Sequence, residues 1–173
     1  MPRLPARKIL IAERAVLWES QGNVMANRIV TDEVRAHIGT RGEPRVYEIE
    51  RGAIRRFAEA IGDPNPLFNN EAAARDTRFG GMIAPPTFCR SLGSGIPQIK
   101  LDLPGFRALD GGSEWEYFRP IRPGDRITVQ SRIADIRETA GRLGPMVFIA
   151  VETSYTNQFD QLCVTQRSTV IRY

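Results

Sequence analysis

Two polar side chains in a proline-bounded loop are the first candidates for chemistry. The stretch Gly62-Asp63-Pro64-Asn65-Pro66-Leu67-Phe68 sets a carboxylate and a carboxamide two residues apart. A positioned carboxylate can take up a proton as a general base. Asp and Asn beside prolines also bond back to nearby amides as turn formers, and from the residues alone both roles stay open. Further on, Pro85-Pro86-Thr87 reads as a helix start, since proline is well tolerated in a first turn. Cys89 has no adjacent histidine or cation to activate it and reads as an inert buried thiol. With Cys163 it completes a pair that has neither a disulfide framework nor zinc-site spacing. His37 is the one histidine, which excludes a His-rich metal site or a pair of catalytic histidines.

The elements that must hold these residues follow from periodicity. Thr31-Asp32-Glu33 reads as a helix N-cap with first-turn acids, the helix running to about Ile38 and stopping at Gly39. Arg45 to Glu50 alternates with period two, as a strand does. Ile54, Phe57, Ala58 and Ile61 then fall on one helical face, and the proline loop breaks that helix. Asn70 can cap a short helix over 71–75, and a further helix is expected from about Pro86 to Gly95. From residue 108 the chain is strand-rich: Glu114 to Arg119, Arg126 to Glu138, Met146 to Thr156 and Leu162 to Arg172. The Met146 strand is apolar on both faces, which places it centrally. Trp115 and Tyr117 share one strand face and read as core or interface. The order predicts an α+β layer design, a curved sheet folded around a helix.

The chain has 173 residues, 42% hydrophobic and 25% charged, which predicts one soluble domain able to bury a core unaided. Its net charge of +4 is not concentrated: residues 1–24 carry four basic and two acidic groups, and the rest alternate in sign. A nucleic-acid footprint needs a basic face with stacking aromatics, so no nucleic-acid partner is expected. No apolar run reaches the length of a membrane span and no secretory leader opens the chain, so no membrane partner and a cytoplasmic location are expected. Residues 1–24 look unlike the rest and read as an N-terminal arm or a start-site extension ahead of Met25, with the domain over 25–173.

The stretch from Phe57 to Asn70, followed by Phe79-Gly-Gly-Met-Ile-Ala-Pro-Pro-Thr87, resembles the MaoC-like hot-dog family. Gly111 to Tyr117, Arg119 to Asp125 and the last two strands support the resemblance, which covers about residues 31–173 and is nearest the N-terminal-type, fatty-acid-synthase-like dehydratase branch. It implies a hot-dog fold, a curved antiparallel sheet wrapped around a central helix and pairing into a double hot dog. It also implies an (R)-specific enoyl-thioester hydratase or 3-hydroxyacyl dehydratase. In catalytic members the loop supplies aspartate, asparagine and histidine; here the first two match Asp63 and Asn65, and Phe68 stands at the histidine position. The glycine whose amide faces the thioester oxygen aligns with Pro86, which has no N–H. The resemblance thus gives Asp63 and Asn65 as catalytic candidates and Phe68, Pro86 and Thr87 as substrate contacts, with the Thr87 and Phe88 amides as replacement donors. It implies no metal and no cofactor, coenzyme A or acyl carrier protein being the thioester carrier.

A missing acid/base group costs ~10²–10⁴ in rate and a missing oxyanion donor ~10²–10³. The expectation is therefore a hydratase or dehydratase subunit whose histidine comes from a partner, in a homodimer or in a heteromer with a histidine-containing MaoC-like chain. Two alternatives stand beside it. One is a stand-alone hydratase or thioesterase using Asp63, with Glu116 as another available carboxylate. The other is a non-catalytic acyl-thioester binding module.

Overall fold

In the computed structural model, residues 28–100, 107–141 and 144–173 are described, and the arm expected over 1–24 lies outside them. Among the described residues there are five antiparallel strands, four short α-helices and one 3₁₀ helix; the first strand follows the first helix, and the other four follow the remaining helices. The strands are β1 (Arg45–Glu48), β2 (Ala108–Tyr117), β3 (Arg126–Gly141), β4 (Gly144–Thr156) and β5 (Leu162–Arg172), in the order β1-β3-β4-β5-β2. β4 is therefore the middle strand, as its two apolar faces require: Val147, Ile149, Ala150 and Val151 are all buried. Register slips between Ile133 and Asp135 and between Asp110 and Ser113 bend the long strands, as bulges do. In the second, Gly112 takes φ +102°, open to glycine at no steric cost.

The concave face is packed from the helix side. In α2 (Arg51–Ala60), Ile54 and Ala58 are buried against Ile127, Val129, Tyr155 and Val164. Ile61, expected on that face, lies past the helix end and is 48% exposed. The proline loop does more than break α2. It restarts the chain as α3 (Pro66–Asn69), capped by Asn65 and begun by Pro66, and Asn70 then caps α4 (Glu71–Arg75). The first helix, α1 (Asp32–Arg35), has its Thr31 cap but ends before Ile38. Among the described residues no helix is long and apolar enough to cross a membrane.

Two apolar clusters fill the concavity. The larger holds Ile49, Ile54, Phe68, Phe88 and Tyr155; the smaller holds Val30, Val34, Ile133, Ile136 and Val147. On the sheet's concave face lies a buried polar row, Ser131, Thr153 and Gln166, one residue from each of β3, β4 and β5. The helix expected over 86–95 is a 3₁₀ helix of six residues, Pro86–Ser91. Pro85 and Pro86 contribute no amide, and Gly93, Gly95 (φ +57°) and Pro97 resist helical continuation. In place of further turns, residues 92–100 run irregularly over the sheet as a cover. Hydroxyls from three strands pin it and the 3₁₀ helix that leads into it: Tyr117 of β2 to the Pro86 carbonyl at 3.0 Å, Tyr47 of β1 to that of Gly93 at 2.9 Å, and Ser131 of β3 to that of Ser94 at 2.7 Å. At Gly42 the cover meets the sheet edge backbone to backbone, so closely that a Cβ there would stand 1.8 Å from the Gly95 oxygen.

Candidate active site

The proline loop spends its polar atoms on its own backbone. Asp63 Oδ1 accepts from the Asn65 amide at 3.0 Å, and Asn65 Oδ1 accepts from the Leu67 amide at 3.0 Å. The first bond closes a turn of the Asx kind. The second satisfies one of the orphan donors at the start of α3. Asn69 closes the loop from the far side, donating to the Pro64 carbonyl at 3.3 Å. Both Asp63 and Asn65 are half-buried.

These bonds aim Phe68 inward. It is 4% exposed and forms a wall of an apolar cleft of about 610 Å³. Pro86 lines the same cleft, with Ile83, Phe118 and Val164 completing much of its apolar surface. Asp63, Asn65 and Thr87 are not among the lining residues. The structure thus brings Phe68 and Pro86 together and leaves the carboxylate and carboxamide in the loop behind them. Of the two candidate donor amides, that of Phe88 is taken by the Pro85 carbonyl at 2.9 Å. The Thr87 amide sits in the first turn, where its own helix offers no acceptor. Glu116 is exposed on β2, away from the cleft.

The ionisable side chains around the cleft are Arg78, Arg119, Cys89 and Tyr117. The guanidinium of Arg78 lies over the Phe79 ring at 4.8 Å, a cation–π contact. Arg122 donates to the Phe79 carbonyl at 2.7 Å and so fixes that wall from behind. Burial, with a smaller contribution from Cys163, pushes the Cys89 thiol up to about 12. Burial, and then Cys89, push the Tyr117 phenol upward too. Arginine stays protonated throughout the ordinary range. The cleft can therefore hold an apolar chain beside positive charge, but among the described residues none of its lining side chains accepts a proton near neutrality. His37 follows α1 and does not reach it. The two arginines were missed in reading the sequence, although Arg78 directly precedes the Phe79-Gly-Gly stretch and Arg119 opens the Arg119-to-Asp125 segment that carried the resemblance.

The flank of the cleft is an open sheet edge. Among the described residues β2 pairs with β5 on one side only, and nearly all its residues are exposed. Trp115 is half-buried on the inner face, its ring 6.4 Å from Tyr117 and 6.1 Å from Tyr155.

Comparison with known proteins agrees with this architecture. The family described as "FAS1-like, dehydratase domain region" matches residues 36–166. A protein of Streptomyces avermitilis named only UPF0336 protein is 41% identical over 100 residues, 55% of this chain and 67% of that one. The probable enoyl-CoA hydratase alpha subunit of Thermomonospora curvata is 30% identical over 161 residues, 81% of this chain but only 50% of its own length. The crystal structure of a MaoC-like dehydratase from Rhodospirillum rubrum superposes with a TM-score of 0.64 at 24% identity, covering 78% of this chain and 90% of that one. The chain belongs to the FAS1-like dehydratase-region family and has its MaoC-like hot-dog fold.

Proposed function

We propose that this chain is one subunit of an (R)-specific enoyl-thioester hydratase or 3-hydroxyacyl-thioester dehydratase, and that the base for the reaction comes from a partner chain. The observation that carries the reading is the cleft itself: an apolar, arginine-flanked space whose histidine position is filled by buried Phe68 and whose lining has no proton acceptor at neutral pH. Water addition across an α,β-unsaturated thioester needs such an acceptor beside the reacting carbons. In this reading Asp63 and Asn65 build the loop, Phe68 and Pro86 contact the acyl chain, and the Thr87 amide, which has no acceptor in its own helix, is the candidate backbone donor to the thioester oxygen. The open β2 edge offers the place where a second hot dog pairs, a histidine-containing MaoC-like chain or another copy. The alpha-subunit name of the Thermomonospora relative supports a shared enzyme. Coenzyme A or acyl carrier protein carries the acyl group, the arginines at the cleft suit either carrier's phosphate, and the reaction is cytoplasmic.

Crotonyl-CoA hydration, followed by loss of the enoyl-thioester absorbance, tests this with the chain alone and with the product of a neighbouring MaoC-like gene. Turnover only in the mixture is the expected result. Turnover by the chain alone, abolished in Asp63→Asn, overturns it in favour of a stand-alone enzyme. Binding without turnover in either setting leaves an acyl-thioester binding module.

A further inference from the structure

On the other side of Cys89 lies a second cavity, of about 330 Å³, between the cover segment and strands β2, β4 and β5. Cys89 lines both spaces, so the two adjoin across one side chain. Leu92, Ile96, Leu109 and Val170 give the second cavity apolar walls. Its floor is different: it contains Thr153 (2% exposed) and Gln166 (7% exposed), with Ser113 beside them. Buried polar groups on the floor of a lipid tunnel are costly unless they are paired, so the floor's hydrogen bonds define what it can recognise.

Tracing the hydrogens gives a direction. Ser131 donates to the Ser94 carbonyl at 2.7 Å, so in its 2.8 Å contact with Thr153 it must accept, and the Thr153 proton is used there. Tyr155 donates to Gln166 Oε1 at 3.3 Å, which turns Gln166 Nε2 toward Ser113 Oγ, 3.2 Å away. A carboxamide nitrogen carries two protons, and a hydroxyl that accepts keeps its own. One Gln166 N–H and the Ser113 O–H are therefore left to give. The lining also carries one acidic and one basic side chain, Asp110 and Arg90, and one Asp110 oxygen is held by the Gly112 amide at 2.9 Å. The lining's formal charges cancel, and on the floor the protons left to give are those of Gln166 and Ser113.

We infer that this cavity selects the distal end of the acyl group, favouring a tail with a neutral hydrogen-bond acceptor, a ketone-type carbonyl oxygen, over a plain hydrocarbon tail. The inference rests on the acyl-thioester reading of the adjoining cleft and adds a substrate class to it. Gln166 and Ser113 are its specificity-determining residues.

The test compares matched pairs of ligands, octanoyl-CoA with 7-oxooctanoyl-CoA and decanoyl-CoA with 9-oxodecanoyl-CoA, titrated into the full chain alone and with its partner. In at least one pair the oxo ligand should bind about tenfold tighter, the effect of one to two net hydrogen bonds. Ser113→Ala and Gln166→Leu should each shrink that ratio below about threefold. Ser113 is exposed on an edge strand, so its variant keeps the test valid if the Gln166 variant fails to fold. Equal affinities within both pairs, or a preference that survives Ser113→Ala, overturn the inference and leave the acyl-thioester reading standing. No binding of any of the four ligands in either setting overturns both.

Discussion

Replacing Ser131 by alanine removes one oxygen and strands two groups. The Thr153 hydroxyl, 2% exposed, loses its acceptor, and the Ser94 carbonyl loses its donor. An orphaned buried hydroxyl costs about 1–3 kcal/mol, and a lost bond at a part-exposed carbonyl about 0.5–1.5 kcal/mol. Ser131→Ala should therefore lose about 2–4 kcal/mol, roughly 4–16 °C of melting temperature for a domain of this size. Thr153→Val is the telling control. It takes away a donor but leaves Ser131 bonded to Ser94, so its cost should stay under about 1 kcal/mol. The double variant has no stranded hydroxyl, so its cost should fall short of the sum of the two single costs by about 1–2 kcal/mol of coupling. Urea unfolding followed by tryptophan fluorescence reads all three as midpoint shifts at constant slope. If Thr153→Val costs as much as Ser131→Ala, or the two costs simply add, the hydrogens do not run from Thr153 to Ser131 to Ser94.

Two further outcomes are expected. Asn65→Ala should lose about 0.5–2 kcal/mol through the missing cap on α3, whereas Asn65→Ser, which can still cap, should recover most of the loss; equal melting of wild type and Asn65→Ala would remove the cap from the account. Cys89 gives a pH signature. Its thiol is held protonated in the fold up to about 12 against an ordinary 9.0, so the unfolded chain ionises first. The stabilisation from this neutral thiol is complete below pH 9 and is lost as pH rises toward 12, at up to about 1.4 kcal/mol per pH unit. Urea midpoints between pH 8 and 10.5 should fall more steeply in wild type than in Cys89→Ala, and parallel slopes would refute the assignment.

Where the chain repeats a simple period, its fold was legible. The Arg126, Met146 and Leu162 strands stand within a few residues of where β-branched runs put them, and β4 is central because both its faces are apolar. α3 was not read because Pro66 was taken as a stop; the same residue at a first helical position, after a capping asparagine, is a start. The first half of β2 was missed because Asp110-Gly111-Gly112 lacks strand propensity, yet the glycines serve a bulge that keeps pairing with β5. The helix expected over 86–95 is short because Gly95 takes φ +57° and stands against the backbone at Gly42, a long-range contact that local pattern does not reveal. At the candidate site, Phe68 and Pro86, both named from the motif, line one cleft. The motif could not show that Arg78, Arg119 and Tyr117 join them, since strand pairing brings those positions together across tens of residues. Nor could it show which way Asp63 and Asn65 turn, because the loop's own amides compete for the same oxygens.

The contact between Gly42 and Gly95 bears on how this protein can be changed. The cover touches the sheet edge there with main chain alone, and any side chain at position 42 must push the Gly95 carbonyl away. Substitutions at Gly42 will consequently lift the cover, and their altered ligand profiles will reflect a loosened roof rather than a reshaped chamber. A productive route to new selectivity keeps the glycines, Tyr47, Tyr117 and Ser131 fixed and varies the wall positions Leu92, Ile96, Leu109 and Val170. Those side chains can change volume without disturbing the main-chain seam that holds the roof in place.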